Sequence, residues 1–127
     1  MKHALFCGCL VLVFVASDTL VDAAPPERSL VQAKCKDSLD VAIFTSPRRP
    51  SPKGTMRILI ASEKNIPDAE LVAYGPKGAV VPLKAKRYGG PPWGWVAMLD
   101  KPRTGRWRIV MGKGQRVDAC QKERVYR

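Results

Sequence analysis

From residue 39 onward the chain alternates apolar and polar residues in short runs separated by turn-forming residues. Leu39–Thr45 (LDVAIFT) puts Leu39, Val41 and Ile43 on one face. Thr55–Ser62 (TMRILIAS) and Glu70–Tyr74 (ELVAY) follow, and the second ends in the β-turn signature Gly75-Pro76-Lys77-Gly78. Val80–Arg87 (VVPLKAKR) sets Val81, Leu83 and Ala85 against Pro82, Lys84 and Lys86, and its proline argues for an edge strand. Trp93–Asp100 (WGWVAMLD) comes next. In Gly105–Gly112, Trp107, Ile109 and Met111 alternate with Arg106, Arg108 and Val110, and Gln115–Val125 closes the domain. No segment sustains a 3.6-residue apolar period. The pattern predicts an all-β fold, an antiparallel β-sandwich of about seven strands, each sheet with one wet face.

The start of the chain reads differently. A basic Met1-Lys2-His3 precedes thirteen uncharged residues, Ala4–Ala16. That run has the length of a signal-peptide core and is too short to cross a bilayer as a helix. Val21 and Ala23 occupy the small-residue positions of a cleavage site, so residues 1–23 are predicted to be a cleaved signal peptide, with Ser17 as a second cut point. Residues 24–34 then read as an extended leader and 35–127 as a single domain. No further long apolar run exists, so no transmembrane segment is expected in the mature chain.

Export changes the reading of cysteine and charge. Cys7 and Cys9 leave with the signal, while Cys35 and Cys120 remain, and oxidising compartments favour their pairing. Losing Lys2, Asp18 and Asp22 raises the formal charge from +11 to +12. Such an excess attracts anionic partners: phospholipid head groups, acidic polysaccharide or an acidic protein surface. Export argues against nucleic acid as the physiological partner.

The run AYGPKGAVVPL…WGWVAML…TGRWRIVMG, within residues 55–112, resembles the later strands of exported immunoglobulin-like modules of the bacterial cell envelope. There, two strands joined by a Pro/Gly turn are followed by a Gly-x-Trp strand. The resemblance implies a small immunoglobulin-like sandwich, periplasmic or secreted, standing alone or as the leading domain of an envelope enzyme. One such family carries copper. This chain departs from it, with no histidine beyond His3 and only scattered methionines at Met56, Met98 and Met111. It also departs from the antibody pattern, because its cysteines sit near the two ends of the mature chain.

Without a mature histidine, Ser-His-Asp and Cys-His sites cannot be built and zinc loses its commonest ligands. No phosphate-binding glycine motif occurs. No cofactor or metal is therefore expected. A carboxylate pair for glycoside cleavage is conceivable, but every mature acid lies near a turn, a strand end or a basic neighbour, where a solvated or salt-bridged acid is the default, so no catalysis is expected. The candidate contacts are basic and aromatic. Arg48, Arg49 and Lys53 lie in a loop stiffened by Pro47, Pro50 and Pro52. Lys84 and Lys86 lie on a strand face that Arg106 and Arg108 could extend. Trp93 lies in the segment YGGPPWGW, two residues from Trp95, so a strand turns both rings to one face. The expectation is a non-enzymatic, monomeric binding or accessory module of the cell envelope. Its partner would be an anionic envelope component or an acidic protein, and the alternative is an assembly partner that acts by edge-strand pairing.

Overall fold

The computed structural model describes residues 35, 36 and 38–127; the predicted signal peptide (1–23) and leader (24–34) lie outside the described residues. Eight strands form: β1 (Val41–Ser46), β2 (Thr55–Ser62), β3 (Glu70–Tyr74), β4 (Val80–Leu83), β5 (Lys86–Tyr88), β6 (Trp93–Asp100), β7 (Gly105–Lys113) and β8 (Arg116–Val125). They make two four-stranded antiparallel sheets, ordered β1-β2-β6-β5 and β4-β3-β7-β8.

The eighth strand comes from dividing the run Val80–Arg87. Its first half pairs with β3 and its second with β6 in the other sheet. The chain crosses between sheets at Lys84 and Ala85, so one alternating run supplies an edge to each layer. Pro82, which has no N–H to donate, sits on such an edge. A second correction falls at the start. Leu39 is fully exposed, and β1 begins only at Val41, where the backbone N–H donates to the Ser38 hydroxyl at 3.2 Å.

The inward faces follow the alternation. Met56, Ile58 and Ile60 of β2 and Trp95, Ala97 and Leu99 of β6 meet Leu71 and Ala73 of β3 and Trp107, Ile109 and Met111 of β7 in one buried cluster. Trp107 closes it at one end. A Cβ on Gly75 would lie 2.7 Å from the Trp107 ring, so only glycine lets the β3–β4 turn pass this close. A smaller cluster, Tyr74 and Val110 with Val72, Val117 and Cys120, lies on the outer side of the second sheet.

Cys35 is disulfide-bonded to Cys120, with Cα atoms 4.9 Å apart and 85 residues between them in sequence. The bridge ties the chain's entry to the edge strand β8. Loop-closure entropy assigns a crosslink of that span about 4–5 kcal/mol, comparable with the whole stability of a small domain. No helix among the described residues is long and apolar enough to cross a membrane.

Antiparallel register sorts the connections into two ends. The β1–β2, β3–β4 and β6–β7 connections and residues 126–127 share one end. The β2–β3, β5–β6 and β7–β8 connections share the other.

Candidate anion-binding surface

The first end is built from proline-rich loops that brace one another. Pro50 is fully buried, and its carbonyl accepts the Tyr126 N–H at 3.0 Å. The Gly54 carbonyl accepts the Lys101 N–H at 2.9 Å, joining the β1–β2 loop to the β6–β7 loop. Pro102 is also buried, and the Arg103 carbonyl takes the Trp107 indole N–H at 2.8 Å. Gly105, at φ 136°, lets β7 begin against the Pro76 ring of the β3–β4 turn. Loops held at this many points present their side chains without a large ordering cost on binding.

What they present is positive charge. Arg48, Arg49 and Lys53 of the β1–β2 loop are exposed. At the same end are exposed Lys77 of the β3–β4 turn, Lys101 and Arg103 of the β6–β7 loop, and Arg127. Carboxylates are sparse here. Asp100 accepts the Thr55 hydroxyl at 2.6 Å, and Glu123 accepts the Thr45 hydroxyl at 2.6 Å.

The opposite end has the reverse organisation, with acids and bases mixed and paired. Lys64 bonds Asp40, Lys113 bonds Glu70, and Arg116 bonds Asp68 at 2.8 Å and Asp118 at 3.1 Å. The hydrogen bonds from Arg116 hold the Asp68 carboxyl below the ordinary aspartate value. Asp40 raises the Lys64 ammonium in the same way. The Lys64–Asp40, Lys113–Glu70, Arg116–Asp68 and Arg116–Asp118 ion pairs all lie at that end, so neutralised charge collects there and unneutralised positive charge at the other.

The remaining sequence candidates go to different places. Lys84 lies on the crossing between sheets. Lys86 lies on β5 with its ammonium 5.4 Å from the Tyr88 ring centre. Both are exposed, but they belong to the edge of the first sheet. Arg106 and Arg108 project from the outer face of the second sheet, so the two pairs form no common strip. Trp93 opens β6 opposite Ser62 and packs, half-buried, on the core above Trp95. It does not stand out as a free ring.

The structure adds residues that the sequence reading passed over. Lys122 and Arg124 of β8 lie directly opposite Arg108 and Arg106 of β7. With Tyr74 and Tyr126 they line an open groove of about 700 Å³ that runs down to the basic end. The guanidinium of Arg108 lies 5.5 Å from the Tyr74 ring centre, and that of Arg124 lies 6.0 Å from that of Tyr126. The outer face of the first sheet is different again. Phe44, Leu59, Met98 and Tyr88 are exposed there.

No cluster of three or more histidine, cysteine, aspartate or glutamate side chains able to hold a metal occurs among the described residues. Comparison with protein-family models, curated proteins and solved structures finds no match to this chain.

Proposed function

We propose that this chain is a non-enzymatic, exported, immunoglobulin-like module of the cell envelope that binds an anionic partner through its basic end. Strand orders 1-2-6-5 and 4-3-7-8 support the immunoglobulin-like reading. They correspond to the A-B-E-D and C′-C-F-G sheets of that fold, with the fourth strand added beside the third. The Cys35–Cys120 disulfide supports the exported reading.

The observation that carries the function is the segregation of charge. Acids and bases neutralise each other at one end, while Arg48, Arg49, Lys53, Lys101 and Arg103 stand together at the other with little carboxylate nearby. Mere solubility is served as well by interspersed charge, and concentrating one sign costs self-repulsion. The same repulsion favours a monomer.

The test is retention of the exported chain on peptidoglycan sacculi and on anionic liposomes, at low and at moderate salt. Salt-sensitive retention that weakens in Arg48→Ala/Arg49→Ala is the expected result. Absence of retention at low salt on every anionic matrix would remove this reading and favour a partner recruited by edge-strand pairing.

A further inference from the structure

The outer face of β7 and β8 has an arrangement that a sheet does not adopt for its own stability. Arg106 is directly opposite Arg124, and Arg108 is directly opposite Lys122. Like charges directly opposite one another on adjacent strands are destabilising. The outward carboxylates of this sheet, Glu70 and Asp118, lie at its far end and are bonded to Lys113 and Arg116. Glu123 borders the groove, but its carboxylate is engaged by Thr45. Two rows of paired cations thus repeat about 7 Å along the strands and about 5 Å across them.

We infer that this groove is the recognition site for an anionic glycan, whose carboxylate or sulfate groups sit on the two cation rows and whose sugar face packs on Tyr126. The inference rests on the anion-binding reading above and names its ligand class. Three of the four cations are arginines, whose planar forks bind carboxylate and sulfate through two parallel hydrogen bonds. The groove is open, suited to a passing chain more than to an enclosed small molecule. Tyr126 is 46% exposed at its lower end and offers a flat ring.

Two other polyanions fit less well. A single-stranded nucleic acid wants a succession of free rings for its bases. Here Tyr74 is buried, which leaves Tyr126 as the one exposed ring among the residues lining the groove. A bilayer would engage cations and exposed apolar side chains together. In this molecule Phe44, Leu59 and Met98 are on the outer face of the other sheet, across the sandwich from the paired cations. One flat membrane cannot meet both.

Titration of the exported chain with a short sulfated oligosaccharide and a short polyuronate tests the inference, with an oligothymidylate and anionic vesicles run alongside. Arg106→Ser/Arg124→Ser is expected to weaken sugar binding about tenfold or more and to flatten its salt dependence. Its melting temperature should equal or exceed that of the wild type, because opposed charges have gone, and this separates lost contacts from a folding defect. Tyr126→Ala should weaken binding with the salt dependence unchanged.

If the serine pair keeps full sugar affinity while Arg48→Ala/Arg49→Ala loses it, the groove is overturned and the broader anion-binding reading survives. If the oligothymidylate or the vesicles bind more tightly than both sugars, the glycan assignment is overturned. If no polyanion binds at low salt, both readings fall together.

Discussion

The Thr45 hydroxyl donates a hydrogen bond to the Glu123 carboxylate at 2.6 Å, joining β1 to β8 across 78 residues of sequence. These are edge strands of different sheets, so the bond links the two layers along one side of the sandwich. It also engages a carboxylate that borders the cationic groove. The two consequences separate by substitution. Thr45→Val removes the donor from a half-buried acceptor and is expected to cost about 1–3 kcal/mol in urea unfolding. Glu123→Gln keeps an acceptor at that place but removes the negative charge. It should cost less stability and raise affinity for an anionic oligosaccharide. Equal affinity in Glu123→Gln and wild type would show that Glu123 does not act on the groove electrostatically.

The two buried tryptophans should respond differently to the same change. Trp107 is 4% exposed and its indole N–H is bonded to the Arg103 carbonyl at 2.8 Å. Trp95 is 1% exposed and its indole N–H has no hydrogen-bond partner among the described residues. Phenylalanine shrinks the side chain at both sites. At Trp107 it also removes a hydrogen bond and leaves a carbonyl to be resatisfied. At Trp95 it relieves an unpaired buried donor, a group that costs about 1–3 kcal/mol. Trp95→Phe is therefore expected to lose about 1–2 kcal/mol less than Trp107→Phe in denaturant unfolding. The reverse order would mean that packing volume alone sets both costs.

Trp107 was legible in the sequence as an inward-facing residue, because strand alternation fixes a face without reference to a partner; for Trp93 and Trp95 it fixed a shared face but not that the face is the core. Alternation says nothing about which strand lies alongside. That is why Val80–Arg87 reads as one strand: Val81 and Leu83 face the core from one sheet and Ala85 packs on it after the crossing, with no break in period. The same blindness hid the groove. Arg106 and Arg108 could be seen to share a face, but their nearest cations in space, Lys122 and Arg124, belong to another strand and meet them only through the β7–β8 register. Joining them to Lys84 and Lys86 followed strand chemistry alone, and the crossing at residues 84–85 defeats it. The proline-stiffened Arg48, Arg49 and Lys53 loop was legible because its character is local. Its companions Lys101 and Arg103 were not, since a backbone bond between Gly54 and Lys101 brings the two loops together.

The pairing at the far end gives the fold a weak acid sensitivity. Arg116 lowers the Asp68 pKa through its hydrogen bonds, so the folded state holds this carboxylate ionised more firmly than the unfolded chain does. A depressed folded pKa contributes stability that is complete above the ordinary aspartate value of 3.8 and is lost as pH falls through the folded value. Both partners are largely solvated, so the contribution is small. Asp68→Asn should leave stability at neutral pH almost unchanged and should flatten the acid limb of stability against pH below that value. An acid limb unchanged in Asp68→Asn would assign the sensitivity to other carboxylates.

The outer face of the first sheet sets a contrast between apolar residues that hold the fold and apolar residues that do not. Phe44, Leu59 and Val96 stand side by side in register across β1, β2 and β6. Phe44 is 56% exposed and Leu59 44%, whereas Ile58 and Ile60, the chain neighbours of Leu59, are fully buried. Leu59→Thr leaves a strand-compatible residue on a wet face. It forfeits only its cross-strand contacts, for which about 0.2–1 kcal/mol is expected. Ile58→Ala opens a cavity in the core and should cost about 2–5 kcal/mol. A double cycle of Phe44→Thr and Leu59→Thr should show a small positive coupling, because the two residues are directly opposite each other on adjacent strands. Polyanion binding should be untouched in both single variants, since the cationic groove is on the other sheet. A loss of several kcal/mol in Leu59→Thr would mean that this face is covered in the folded protein, and the first place to look would then be a self-association that depends on protein concentration.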